Sequence, residues 1–162
     1  MALDITFWIL AAASVVTALA VVSLSNVFRA ALLLMVCFLA VAGLYATLSA
    51  DFLAVAQILI YVGGISILII LAIMLTRDVQ RGSPANRLRL PALVVVVLFF
   101  GLVTFALVSS PWAVSGQAPQ MPTTATLADK LFGSGGFILA VEIAGVLLLA
   151  AVVGAIVLVR EK

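Results

Sequence analysis

Residues 52–76 read FLAVAQILIYVGGISILIILAIMLT and contain no charged side chain. A bilayer core about 30 Å thick is crossed by roughly 20 apolar residues in a helix, so this run is long enough to span it. Barrel strands would alternate in polarity over about 10 residues, whereas this run is apolar on every face. The run therefore predicts a transmembrane helix. The same criterion predicts helices over residues 5–24, 27–48, 91–108 and 137–159.

The residues between these runs are typical of helix ends. Ser25-Asn26 and Ser49–Asp51 offer capping side chains to the helices that follow them. Pro91 suits the first turn of the fourth helix, where its missing N–H is not needed. The connection over residues 109–136 holds three prolines and a glycine cluster, which predict an irregular loop.

The composition excludes several classes of protein. Of the 162 residues, 67% are hydrophobic and 9% are charged, whereas a soluble domain is roughly 45–50% apolar and about 25% charged. The net charge of +2 comes from too few basic residues to bind nucleic acid. With no His and one Cys, Cys37, the chain cannot build a zinc, haem or iron–sulfur site. We therefore expect residues 1–162 to form a single all-α membrane domain without catalytic residues, cofactor or metal of its own.

The basic residues predict how the chain is oriented. The side of the bilayer that holds the C-terminus carries seven of them: Arg29, Arg77, Arg81, Arg87, Arg89, Arg160 and Lys162. The opposite side carries only Lys130, together with Asp4, Asp51 and Asp129. The positive-inside rule then places the N-terminus outside and the C-terminus in the cytoplasm.

One carboxylic acid and one amide side chain fall inside the predicted spans. Glu142 lies roughly 7–8 Å below the outer boundary of the fifth span, and Gln57 lies at a similar depth in the third. We predict that both face the protein interior. Glu142 fits a proton path or coupling site, and fits equally a structural acid hydrogen-bonded to a neighbouring helix. For Gln57 the plainer alternative is an interhelical hydrogen bond that contributes roughly 1 kcal/mol.

A cluster near the middle of the third span holds a tyrosine, two glycines and a serine: Tyr61-Val62-Gly63-Gly64-Ile65-Ser66. Glycine permits close approach between membrane helices and also permits a π-bulge, which recurs at functional sites. The hydroxyl of Tyr61 needs a hydrogen-bonding partner at this depth. Tight packing and a functional hinge both fit the pattern. Small residues of the fifth span, Ala140, Ala144, Gly145, Ala151, Gly154 and Ala155, indicate a helix contact that is either internal or with another subunit.

Residues 50–64, ADFLAVAQILIYVGG, resemble the third helix of subunit J of proton-pumping NADH-quinone oxidoreductase, respiratory complex I, whose mitochondrial counterpart is subunit 6. Residues 131–133 (LFG) and 139–143 (LAVEI) are similar to the start of that family's fifth helix. Residues 26–32 (NVFRAAL) match its first turn and second helix. The resemblance covers nearly the whole chain.

The resemblance implies a membrane-arm core subunit that couples quinone reduction to proton translocation and has no redox centre. In the family the third helix can carry a π-bulge near the tyrosine and glycines, and its switching is linked to resting and active states. Tyr61, Gly63 and Gly64 would then form the bistable element, and Glu142 a polar residue of the fifth helix. Some bacterial members carry Glu where this chain has Gln57, which cannot titrate, and this argues against a proton-carrying role there.

The resemblance also implies partners and a location. The partners are quinone-site and antiporter-like subunits, and the quinone, FMN and iron–sulfur clusters belong to other subunits of the complex. The location is a bacterial-type inner (plasma) membrane. The alternatives are a subunit of a related cation/proton antiporter complex and a non-catalytic assembly or scaffold subunit.

Overall fold

The apolar runs are helices in the computed structural model, which describes residues 1–76, 89–112 and 123–160. Within those ranges the chain forms helices and no strands, and five helical segments are long and apolar enough to cross a membrane. The prediction of an all-α multi-pass membrane protein is therefore confirmed. The helices are α1 (Ala2–Ser23), α2 (Val27–Thr47), α3 (Asp51–Ala56), π1 (Gln57–Ile65), α4 (Ser66–Leu75), α5 (Arg89–Ser109), α6 (Thr123–Phe132) and α7 (Ile138–Val159).

Helices α1 and α2 form a hairpin with extensive contact along their length. The predicted cap is confirmed at α2, where the Asn26 side chain accepts a hydrogen bond from the backbone N–H of Arg29 at 3.1 Å. The Cys37 thiol donates to the carbonyl oxygen of Ser14 at 3.6 Å. This weak bond links α2 to α1 across the hairpin.

The turn between α2 and α3 differs from the predicted cap. Ser49 has a φ of 61°, its N–H donates to Ala46 O, and the N–H of Ala50 donates to Tyr45 O. This is the hydrogen-bond pattern of a Schellman motif, with serine at the position where glycine is usual. The motif leaves Ala50 as the N-cap, and no side chain caps α3. Asp51 instead lies in the first turn, where a negative charge is favourable.

The third span is one continuous helix made of α3, π1 and α4, and it packs against α2. The buried residues of the described chain lie in α2 and in this span, and most are small: Ala31, Ala40, Ala42, Ala54, Gln57, Ser66 and Ile73. Small side chains let helix backbones approach closely. The core of the chain is therefore the seam between α2 and the third span.

The prediction of an irregular loop over residues 109–136 is wrong for its second half, because α6 occupies Thr123–Phe132. Pro119 and Pro122 lie outside the described residues, and both precede this helix. The glycines follow it: the N–H of Gly133 donates to Asp129 O at 2.8 Å. The helix-breaking prolines and glycines thus flank a short helix that packs against α3.

Helices α5 and α7 stand apart from this seam. Neither has a buried residue among those described, and α7 makes its principal contact with α6. Both helices are apolar on all faces, which is the pattern of a segment surrounded by lipid or by other apolar helices. The two glycines of α7 are not packed against another described helix, since a Cβ added at Gly145 or Gly154 would meet nothing within 4 Å.

Candidate functional site

The middle of the third span winds as a π-helix, over Gln57–Ile65. It closes with the backbone N–H of Ser66 donating to the carbonyl oxygen of Tyr61, five residues earlier. The flanking residues Ala56 and Ser66 keep ordinary right-handed helical angles, with φ of −60° and −64°. π-helical segments are rare and are mostly single-turn bulges, so a nine-residue segment marks this part of the chain as the candidate site.

Tyr61 lies in this π-helix with its ring against α2. The ring packs edge-on against Phe38, with centroids 5.4 Å apart and an interplanar angle of 66°. Such a pairing is favourable for aromatic rings. The side chain is nevertheless 43% exposed, and its hydroxyl has no hydrogen-bonding partner among residues 1–76, 89–112 and 123–160. The hydroxyl is thus open to a group outside the described chain.

The two glycines of π1 are not packed against another helix of the described chain. A Cβ added at Gly63 would lie 3.4 Å from the carbonyl oxygen of Ile58. A Cβ added at Gly64 would lie 3.9 Å from that of Leu59. Both neighbours belong to the same π-helix, five residues back. Close packing within the described chain therefore does not account for the glycine pair. The local feature that accompanies both glycines is the π conformation.

Gln57 begins the π-helix and is buried, with 8% of its surface exposed. The prediction that it faces the protein interior is confirmed. Its amide makes no hydrogen bond to the other described residues, so the structure gives no support to the interhelical bond considered from the sequence. The buried amide lies at the seam between α2 and the third span, one turn before Tyr61.

Glu142 is exposed on α7, and the prediction that it faces the interior of this chain is wrong. The reason is that α7 does not pack against the third span, so no helix of the described chain covers the acid. The structure accordingly does not bring Glu142 together with Gln57 or Tyr61. An exposed carboxyl at membrane depth is costly against lipid and favours a polar or protein neighbour.

Ser66 belongs to the site; it ends the cluster singled out in the sequence, which assigned it no role of its own. It is the most buried residue of the described chain, at 1% exposure. Its hydroxyl donates to the carbonyl oxygen of Tyr61 at 2.7 Å. The available signal was its place five residues after Tyr61, but that spacing has meaning only once the helix is known to be wound with a five-residue hydrogen-bond step.

Fold and site together define a class: a multi-pass membrane protein whose most distinctive element is a π-helix in an otherwise apolar span. The sequence profile of the family described as NADH-ubiquinone/plastoquinone oxidoreductase chain 6 matches residues 17–158. The chain belongs to this family, and so is a membrane-arm subunit of a multisubunit quinone oxidoreductase that is not catalytic alone.

Named relatives cover almost all of the chain. It is 43% identical to NAD(P)H-quinone oxidoreductase chain 6 of Synechocystis sp. over 97% of its length and 80% of the relative's. It is 40% identical to the protein of the same name in Leptolyngbya boryana, over 98% of this chain and 80% of that one. It is also 35% identical to F(420)H(2) dehydrogenase subunit J of Methanosarcina mazei, over 96% of this chain and 90% of that one. These names support the predicted family over the antiporter and scaffold alternatives.

Proposed function

We propose that this subunit couples quinone reduction to proton translocation by changing the winding of its third span. The observation that carries the proposal is the π-helix over Gln57–Ile65, which begins at a buried amide and contains the tyrosine and both glycines. A coupling element must have two discrete arrangements whose balance the distant sites can shift. Rewinding π1 into an α-helix supplies the second arrangement.

The change in winding has a defined geometric consequence. An α-helix has 3.6 residues per turn, so removing the extra residue of a π-bulge rotates one flank of the helix by about 100° relative to the other. Tyr61 would then lose its edge-on contact with Phe38, or the flank holding Ser66 would turn instead. Either rotation changes which polar groups line the seam with α2. The access of water to the span changes as a result.

The electron-transfer steps belong to other subunits in this proposal. Relatives of this chain carry the names of an NAD(P)H-quinone oxidoreductase and of an F(420)H(2) dehydrogenase. One kind of membrane subunit therefore occurs with two different electron donors, which supports a role away from the donor site. In this proposal those other subunits hold the FMN, the iron–sulfur clusters and the quinone. The direct neighbours of this chain are the quinone-site and antiporter-like subunits. We propose a bacterial-type inner (plasma) membrane as the location.

The experiment that tests the coupling role is Gly64→Leu in the intact complex. The first atom of the new side chain fits the present winding, since it would lie 3.9 Å from the nearest carbonyl oxygen. Leucine favours the α-helix over glycine by about 1 kcal/mol, so the variant should hold the span in the α form. We expect donor oxidation to slow and the ratio of protons moved to quinones reduced, measured in liposomes, to fall.

The matched control is Gly101→Leu in α5. A Cβ there meets nothing within 4 Å in the described chain, so leucine fits as well as it does at Gly64, but the surrounding helix is an ordinary α-helix. This variant should leave the proton-to-quinone ratio unchanged. An unaltered ratio in Gly64→Leu as well, with the complex assembled, would contradict the coupling role of the third span.

Purification of the complex distinguishes the quinone oxidoreductase from the alternative, a cation/proton antiporter complex. A tagged copy of this chain should bring down subunits that hold iron–sulfur clusters, detected by their absorbance and iron content. A complex with proton and cation exchange but no iron would support the alternative.

A further inference from the structure

We infer that the hydroxyl of Ser66 selects the π winding of the third span. This rests on the proposal that the span changes its winding, and it names the side chain that sets the balance. The starting observation is that the carbonyl oxygen of Tyr61 accepts two hydrogen bonds from one residue. Ser66 supplies both, one from its backbone N–H and one from its hydroxyl at 2.7 Å.

The span of the hydroxyl bond sets it apart from similar bonds in the chain. Serine and threonine side chains in helices often donate to a carbonyl three or four residues earlier. Every other such bond in the described residues follows that rule: the donors are Thr6, Ser14, Thr17, Ser23, Thr47, Thr76 and Thr104. Only Ser66 reaches back five residues. Its bond therefore depends on the π winding, as theirs depend on the α winding.

The bond favours the π form over the α form. In an α-helix the N–H of Ile65 would take the Tyr61 carbonyl, and the hydroxyl of Ser66 would turn to Val62. A hydroxyl bonded four residues back slightly destabilises an α-helix and often bends it. In the π form the hydroxyl instead adds to the hydrogen bond that already closes the segment. Because Ser66 is 1% exposed, its hydroxyl has little access to water and depends on a partner within the chain.

Ser66 is also placed to sense packing. It lies at the junction where π1 gives way to α4, and both of these elements contact α2. A displacement of α2 against the third span would therefore act on the residue that holds the winding. The side chain is a positioning residue, since it acts through the backbone of the span.

The test is Ser66→Ala in the purified intact complex, with cryo-electron microscopy used to count particles whose third span is π-wound or α-wound. Ser66→Ala removes the hydroxyl bond that favours the π form, so the ratio of α to π particles should rise, by at most about fivefold. Ser66→Thr keeps the hydroxyl and should keep the ratio of the unmodified complex. Ser14→Ala removes a part-buried hydroxyl bonded three residues back in α1, and should leave the third span unchanged.

The outcomes separate this inference from the coupling role. An unchanged α-to-π ratio in Ser66→Ala would overturn the inference and leave the coupling proposal intact. A raised ratio with normal proton pumping would support the role of Ser66 and contradict the coupling proposal. If Ser66→Ala does not assemble, Ser66→Cys keeps the size and weakens the donor. An α-to-π ratio above that of the unmodified complex would then support the inference, and an unchanged ratio would overturn it.

Discussion

At the scale of single residues, the chain separates its polar groups into buried and exposed sets. Gln57 and Ser66 are buried at the seam with α2, whereas Glu142 lies exposed on α7. The buried pair is neutral, as expected where no cation is available to compensate a charge. The exposed acid is the only carboxyl within the five spans of the sequence apart from those at their ends. A carboxyl-based proton path through the predicted spans of this chain would therefore have to use Glu142.

Replacing Glu142 with glutamine tests whether the carboxyl carries protons. Glutamine keeps the size and can still form hydrogen bonds, but it cannot exchange a proton. If the acid is part of a proton path, quinone-linked turnover of the complex should fall by roughly tenfold or more, since a positioned proton-transfer group contributes about a hundredfold or greater. Turnover is measured by following oxidation of the electron donor in membranes.

Two further variants make that result specific. Asp129→Asn removes an exposed carboxyl on α6 and should leave turnover unchanged. Glu142→Ala removes both the charge and the hydrogen bonds. Full turnover in Glu142→Gln with loss in Glu142→Ala would identify a structural acid that binds a neighbouring subunit.

At the scale of helices, α1 and α2 approach closely at one glycine. A Cβ added at Gly43 would lie 2.8 Å from Cδ1 of Leu10, closer than such atoms normally come. Alanine at position 43 should be tolerated, because the end of the leucine side chain can rotate away. Leucine at position 43 should lower the free energy of unfolding by about 1–3 kcal/mol through overpacking. Unfolding of the chain in mixed detergent micelles measures the change.

The same contact supplies its own control. Leu10→Ala opens the space that a larger side chain at position 43 would need, so Leu10→Ala with Gly43→Leu should recover part of the lost stability. Equal losses in the single Gly43→Leu variant and in the double variant would show that the cost does not arise at the Leu10 contact.

The elements also show what sequence reasoning can reach. The ends of the spans were predictable to within a few residues, because apolar runs stop sharply at Asn26 and Asp51 and composition alone marks those limits. A glycine pair beside Tyr61 indicated that a π-bulge was permitted. The extent of π1 and the part played by Ser66 were not predictable, since both depend on which carbonyl each N–H meets.

Other elements escaped prediction for different physical reasons. Helix α6 was missed because its polar composition and its proline and glycine neighbours favour a loop when they are considered singly. The exposure of Glu142 was missed because burial was inferred from the cost of placing an acid against lipid. That cost is real, but a neighbouring subunit can offset it as well as this chain can.

At the scale of the whole molecule, the chain is incomplete as a packed structure. The seam between α2 and the third span is buried, whereas α5 and α7 expose apolar surface on nearly every side. Between membrane helices, close packing and hydrogen bonds drive association, and small residues allow the approach. The small residues of α7 are therefore free to contact another subunit, which agrees with membership of a multisubunit complex.

The distribution of basic residues predicts the orientation of the chain in the membrane. Arg77, Arg81, Arg87 and Lys162 lie outside the described residues, so the argument rests on their place in the sequence. With five spans, the segment that contains the arginine cluster and the C-terminus fall on the same side of the membrane. Retention of basic residues on the cytoplasmic side then predicts that the N-terminus lies outside.

Reporter fusions measure that orientation at two points. A fluorescent protein that matures only in the cytoplasm should be bright when fused after residue 160, and alkaline phosphatase, active only outside, should be inactive there. The phosphatase should be active when inserted in the connection between α5 and α6, on the side that carries Lys130. The reverse pair of signals would invert the topology. In that case Gln57 and Glu142 would both lie nearer the cytoplasmic side of the membrane. A proton path through Glu142 would then have to open toward the cytoplasm, so the fusions also fix the direction in which that carboxyl can exchange protons.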